Sequence, residues 1–288
     1  MTYLIEADDL VATVPGTLTL KDLDSDLIQQ CLISTLLAPA HYTIAQILAE
    51  DWGHDARQVL GLGLKHASGL HTKTGGKVIK NVSGYDLSKI YLGSCESLAK
   101  IETASLRLEK LPLLICELSL KLERELDLDL IVFLHKIATM DFDESFDVEL
   151  NMLGEIKLSF TATSKELMAL KQARLARRLE GFWDHELSLD FVVQPYKKQY
   201  PSTDLRIEIH GVLTTLLNTA KSLGQPCQIY PKRGYLLLES SVQNLKKLDD
   251  CYYYVYPKTD ENKKLETQLN DTDNAELDLF KQLQKDFA

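Results

Sequence analysis

The chain has 288 residues, of which 45% are hydrophobic and 26% charged, the balance of a globular protein with room for two ordinary domains or one large one. Its formal net charge of -10 argues against a nucleic-acid surface, which needs clustered Lys and Arg. No stretch is apolar and long enough to be read as a membrane-spanning helix, and the start MTYLIEADDL lacks the basic-then-apolar pattern of a signal peptide. The cysteines Cys31, Cys95, Cys116, Cys227 and Cys251 stand singly, which suits reduced thiols in a cytoplasmic protein better than a disulfide framework or a zinc site.

In chain order, Asp9 to Val14 reads as a strand, Pro15-Gly16 as a turn, and Thr17 or Thr19 as a helix cap. Leu23, Leu27, Ile28, Cys31, Leu32 and Leu36 recur close to helical spacing and predict a helix over 22–37. Thr43 to Ala49 predicts a second short helix. Gln58 to Lys65 and Leu70 to Thr74 predict a hairpin turned at Ala67-Ser68-Gly69.

The stretch Thr74 to Leu98, TGGKVIKNVSGYDLSKIYLGSCESL, is the densest in residues that local structure alone does not ask for. Gly84 offers a backbone free to take positive φ. Asp86 is placed to cap a short helix, Leu87 to Leu92, and Gly93 stands at a C-cap. A strand, Ile101 to Leu108, follows, and Leu111-Pro112 closes a first domain. Beyond it, strands and helices alternate twice: 115–122, helix 126–138, 146–153, 155–161 and helix 165–179, then 187–193, 205–211, helix 213–223, 228–230, 235–239, helix 242–248 and 252–256. Lys171, Arg174, Arg177 and Arg178 read as the wet face of a helix. The tail 258–288 is polar and acidic, with a helix over 275–287.

The segment TGGKVIKNVSGYDLSKIYLGS resembles the signature of the flavin-binding subunits of bacterial glycolate oxidase, and more broadly the FAD-linked oxidases of the vanillyl-alcohol oxidase, or PCMH, type. The resemblance extends back through the hairpin and the strand near Asp9, and forward to SLRLEKLP at Ser105 to Pro112. It implies an α+β fold: a partial PCMH-type FAD-binding domain over 1–112, a ferredoxin-like cap over 113–257, and a linker with terminal helix over 258–288. It implies FAD as cofactor, with Gly75, Gly76, Lys80, Asn81, Gly84, Tyr85, Gly93 and Ser94 as cofactor-binding positions. No catalytic residue and no metal ligand is assigned; His54 is read as a turn histidine before a base or flavin attachment point. The implied partners are a related flavoprotein subunit and an iron–sulfur subunit, with a homodimer as a further option.

Three departures bear on activity. The Gly-rich segment of a first flavin subdomain has no counterpart, and the chain starts after the place where that subdomain would end. The double glycine of a second element is Ala45-Gln46. The pattern G-S-x-G-T-L-G reads Gly93-Ser94-Cys95-Glu96-Ser97-Leu98-Ala99, with Glu96 and Ala99 in place of glycines. A Cβ hinders close approach of a backbone to a ligand, and a carboxylate repels a diphosphate. Two readings follow: a 2-hydroxy-acid oxidoreductase subunit with weakened or lost flavin binding, or a flavin-free partner that stabilises a catalytic flavoprotein. A shortened gene product would explain the missing start but not the altered residues. The missing subdomain predicts exposed apolar surface around Ile44 to Trp52.

Overall fold

A computed structural model describes residues 3–52, 58–76, 87–121, 126–141, 146–182, 189–201, 206–223, 227–231, 235–238, 251–256, 258 and 266. These fall into two compact units, one from the chain up to Leu111 with the stretch beginning at Gln199, the other from Pro112 onward.

In the first unit the strands are β1 (Leu4–Glu6), β2 (Val11–Pro15), β3 (Leu32–Ser34), β4 (Val59–Lys65), β5 (His71–Gly75) and β6 (Lys100–Lys110). Their order is β1-β2-β6-β4-β5, every ladder antiparallel, with β3 paired to the far end of β6. Helix α1 (Leu20–Ile28) is capped by Thr19, whose hydroxyl accepts from the N–H of Asp22, and it buries Leu20, Leu23 and Leu27. The helix expected over 22–37 is therefore shorter. At Cys31 the backbone turns left-handed, with φ of +57°, and Leu32–Ser34 continue as a strand instead. Helix α2 (Ile44–Ala49) has a full capping box between Thr43 and Gln46. Ile44, Ile47, Leu48, Ala49 and Trp52 are all buried, so the apolar surface expected there is not exposed.

The second unit holds β7 (Leu114–Lys121), α4 (Leu128–Lys136), β8 (Asp147–Asn151), β9 (Glu155–Ala162), α5 (Lys165–Glu180), β10 (Phe191–Pro195), β11 (Arg206–Gly211), α6 (Leu213–Leu223), β12 (Gln228–Tyr230), β13 (Tyr235–Leu238) and β14 (Cys251–Tyr256). The short helix α3 (Ser88–Tyr91) belongs to the first unit. The strand order β10-β7-β9-β8-β12-β13-β11-β14 is two ferredoxin-like modules joined side by side. Numbering strands within each module, the first reads 4-1-3-2 and the second 2-3-1-4. Every ladder is antiparallel, as an α+β sheet requires and a doubly wound fold does not allow. The seam is β8 against β12, Asn151 facing Gln228 and Leu150 facing Ile229.

Alternation decides which face packs. In β9 Ile156, Leu158, Phe160 and Ala162 are buried and Glu155 and Lys157 are exposed. Helices α4, α5 and α6 cover that inner face, and one continuous core runs from Cys116 to Val255 across both modules. Lys171 is a correction to the wet-face reading of α5. It is 8% exposed, on the buried side with Met168, Leu175 and Leu179, and its ammonium donates to the carbonyl of Thr161 at 2.8 Å. A long aliphatic stem lets lysine lie along apolar surface while its head finds a partner. The expected helices over 242–248 and 275–287 lie outside the described residues, and Lys258 and Glu266 alone of 258–288 lie inside them.

Candidate functional site

Of the positions read from the sequence, Gly75, Gly76, Gly93 and Ser94 are described; they stand at the end of β5 and in the loop after α3, beside β4 and α2. Gly75 ends β5 with φ of +66°. A Cβ there would come within 2.2 Å of the Leu60 carbonyl, and one on Gly61 within 2.8 Å of the Thr74 carbonyl. The strands thus approach too closely for side chains, and Gly75 is needed by the hairpin itself. Gly76 donates its N–H to Leu60 at 2.9 Å, and no described atom lies within 4 Å of where its Cβ would stand. Thr74 and Ser88 share a hydroxyl–hydroxyl bond of 3.0 Å that ties the end of β5 to α3. Lys80, Asn81, Gly84 and Tyr85 lie outside the described residues, as do His54 and Asp86. Helix α3 begins after Leu87, which makes no side-chain capping bond.

The loop after α3 is built against α2. Gly93 (φ +72°), Cys95 (φ +49°) and Glu96 (φ +58°) are left-handed, and so is Asp51 opposite them (φ +53°). Such conformations are strained for any residue with a Cβ and cluster where surrounding structure over-determines the backbone. Here the determinants are visible: Gly93 N–H donates to Leu48 at 3.0 Å and Cys95 N–H to Ala49 at 2.8 Å. Ser94 N–H turns back to Tyr91 at 3.4 Å, its hydroxyl donates to the same carbonyl at 2.8 Å, and Ser97 N–H donates to Ser94 at 2.9 Å. Glu96 is exposed, while Leu98 and Ala99 are buried. Burial raises the phenol pKa of Tyr91 at the end of α3. His66, at the hairpin, is buried and bonded to the Thr72 hydroxyl at 2.8 Å.

The diphosphate of a dinucleotide needs N–H donors aimed at it. The N–H groups of Gly76, Gly93, Ser94, Cys95 and Ser97 all donate inside the chain. Those of Ala45 and Gln46 go to the Gly16 carbonyl at 2.8 Å and the Thr43 hydroxyl at 3.3 Å. These seven N–H groups are thus taken up within the chain.

A second constellation, not singled out from the sequence, lies on the face of the second module's sheet turned away from α6. Glu208 is 2% exposed and takes Arg206 at 2.6 Å on one carboxylate oxygen and His210 Nε2 at 3.0 Å on the other. Arg206 also donates to the Tyr235 hydroxyl at 3.1 Å, and His210 packs against the Tyr235 and Tyr254 rings at 5.1 and 4.9 Å. The Tyr230 ring lies tilted against Tyr235 at 4.8 Å, and burial, reinforced by the charge of Glu149, drives its pKa far up. The signal was present: in Arg206-Ile207-Glu208-Ile209-His210 ionisable and β-branched residues alternate strictly, which puts three ionisable groups on one face of β11. No group of three or more His, Cys, Asp or Glu among the described residues could hold a metal ion, and no described helix is long and apolar enough to cross a membrane.

No family model matches this chain. Over 78 residues, 27% of the chain, it is 37% identical to glycolate oxidase subunit GlcE of Escherichia coli K12, of which the match spans 21%. Two crystal forms of alkyldihydroxyacetonephosphate synthase superpose on 99% of the chain with TM-scores of 0.59 and 0.58, each at 11% identity. The chain covers 63% and 64% of those synthase chains. It is thus related to a glycolate oxidase subunit over a short stretch, and its fold is the PCMH-type one expected from the sequence.

Proposed function

We propose that this chain is a subunit of a flavin-dependent 2-hydroxy-acid oxidoreductase of the glycolate oxidase type, with a weakened hold on FAD. On this reading 1–112 is a partial flavin-binding domain, 113–257 its cap, and 258–288 a linker with a terminal helix. Gly75, Gly76, Lys80, Asn81, Gly84, Tyr85, Gly93 and Ser94 are the positions nearest the cofactor. Its partners in the cytoplasm are a related flavoprotein subunit and an iron–sulfur subunit. The relationship to a glycolate oxidase subunit supports the placement. The observation that carries the weakened hold is the internal commitment of the N–H groups of Gly76, Gly93, Ser94, Cys95 and Ser97. A buried diphosphate without such donors is costly, and exposed Glu96 adds a like charge on the same loop.

A flavin-free structural partner is the second reading. It is favoured by the use made of the side chains that replace glycines: Gln46 closes a capping box, and Ala99 is packed in the core. Purification without added cofactor, addition of excess FAD, desalting and a visible spectrum separate the two. A weakened hold predicts flavin lost on desalting but saturable in a titration at roughly micromolar FAD or above. No saturation leaves the structural partner, and one flavin retained per chain after desalting overturns the structural partner and the weakened hold and restores an ordinary flavoprotein subunit.

A further inference from the structure

Strand β10 closes one edge of the eight-stranded sheet and reads Phe191-Val192-Val193-Gln194-Pro195, without a charge. Val192 is 56% exposed and Val193 42%. Natural edge strands are commonly blunted by charge or cover, because their outward backbone groups are a template for another strand. Which groups point outward follows from the ladder. Tyr196 N–H donates to Leu113 at 3.0 Å, and Pro195 faces Leu114 in the register with β7. Bonding alternates along an antiparallel strand, so Val192, Gln194 and Tyr196 address β7, and Phe191, Val193 and Pro195 address the outside.

We propose that β10 pairs antiparallel with β10 of a second copy of this chain, about a two-fold axis through Val193. That register sets Val193 opposite Val193 and Phe191 opposite Pro195. The two Val193 residues exchange N–H···O bonds, and each Phe191 N–H donates to the Pro195 carbonyl of the other copy. Proline has no N–H to give, so this pairing leaves only the Phe191 carbonyl without a partner. Phe191, Val193 and Pro195 form a continuous apolar row on one face, and Asp190 comes beside the Tyr196–Lys197 stretch of the other copy. A second copy suits this edge better than a foreign strand, because the sequence is self-complementary in that register. The sheet already contains the same kind of join, where β8 and β12, each the second strand of its module, pair antiparallel. A five-residue ladder is small against the roughly 1,600 Å² of a stable complex, so the dimer is weak and concentration-dependent. The pairing is independent of flavin.

Sedimentation velocity from roughly micromolar concentrations upward reads the association, and cysteine placement reads the register. A hydrogen-bonded antiparallel pair holds its Cα atoms about 5.5 Å apart, within disulfide reach. In a Cys31→Ser background, Val193→Cys should cross-link to a dimer under mild oxidation. Val192→Cys, which faces Gln194 rather than itself, should not. Val193→Lys, at an exposed position, should leave the thermal midpoint in place and abolish association. A wild-type chain monomeric at the highest attainable concentration overturns the proposal. So does Val192→Cys linking as readily as Val193→Cys, or association undiminished in Val193→Lys.

Discussion

The two ferredoxin-like modules share a strand order, a helix layer and one core, yet the faces turned away from α4, α5 and α6 differ in kind. On the first module that face is wet: Glu117 on β7 meets Lys157 at 2.8 Å, with the two side chains 28% and 47% exposed. On the second module the face is withdrawn from water: Glu208 on β11 is 3% exposed at its side chain, held between Arg206 and His210 and ringed by tyrosines. Both glutamates sit on the first strand of their module and face the same way. The inner faces differ little because any sheet of this order must bury one side under helices. The outer face is left to the sequence, and there one module carries solvated ion pairs and the other a desolvated network. An ion pair in water contributes little, whereas removing one partner of a buried pair leaves a charge without compensation.

The contrast can be broken most directly at the two glutamates. Glu208→Ala should destabilise the second unit by about 3–5 kcal/mol, read as a fall in thermal or denaturant midpoint. The double variant Glu208→Leu, Arg206→Met should recover much of that loss, because apolar residues of similar volume often replace a buried pair without cost. Equal midpoints for Glu208→Ala and Glu117→Ala would erase the distinction between the modules.

Alkaline titration sharpens it next. Tyr230 keeps its proton in the folded chain well above the ordinary phenol value of 10.0. The unfolded chain loses that proton first, so the stabilisation is fully present below pH 10 and is lost as pH rises beyond it. Cys116 and Cys227, each pushed up to about 11 by burial, act in the same direction in both modules. Tyr230→Phe should therefore flatten the loss of midpoint between about pH 10 and 12 while leaving the neutral-pH value nearly unchanged, and an unchanged slope would show the phenol to be uninvolved. Glu117→Ala is the smallest effect, at most about 1 kcal/mol and weaker in high salt.

Much of this architecture was legible because periodicity and capping act locally. Helix α6 and strand β12 fall where apolar spacing put them, and Thr19, one of the two threonines read as a cap, caps α1. The helix over 22–37 was overextended because its reversal occurs at Cys31, a residue type that carries no turn signal, and long-range pairing with β6 decides the next three residues. The left-handed glycines Gly75 and Gly93 stand where glycine was read as meaningful. The left-handed Cys95 and Glu96 could not be read, since their conformation is imposed by hydrogen bonds to α2, an element some fifty residues earlier. The Arg206–Glu208–His210 face was legible as alternation but not as a network, because Tyr235 and Tyr254 reach it from other strands.

The capping box at Thr43 and Gln46 has a consequence for what α2 can tolerate. In the pattern this chain resembles, positions 45 and 46 are glycines. Here Gln46 accepts from the Thr43 N–H and Ala45 packs over Gly16, whose own Cβ would stand 3.1 Å from the alanine methyl. Glycine at both positions would cost α2 roughly 1 kcal/mol at each in propensity, and the Gln46 half of the box besides. A helix of six residues is not stable by itself, so what holds α2 besides its cap is the burial of Ile44, Ile47, Leu48 and Ala49. The side chains at these two positions thus hold the start of α2 more firmly than glycines would.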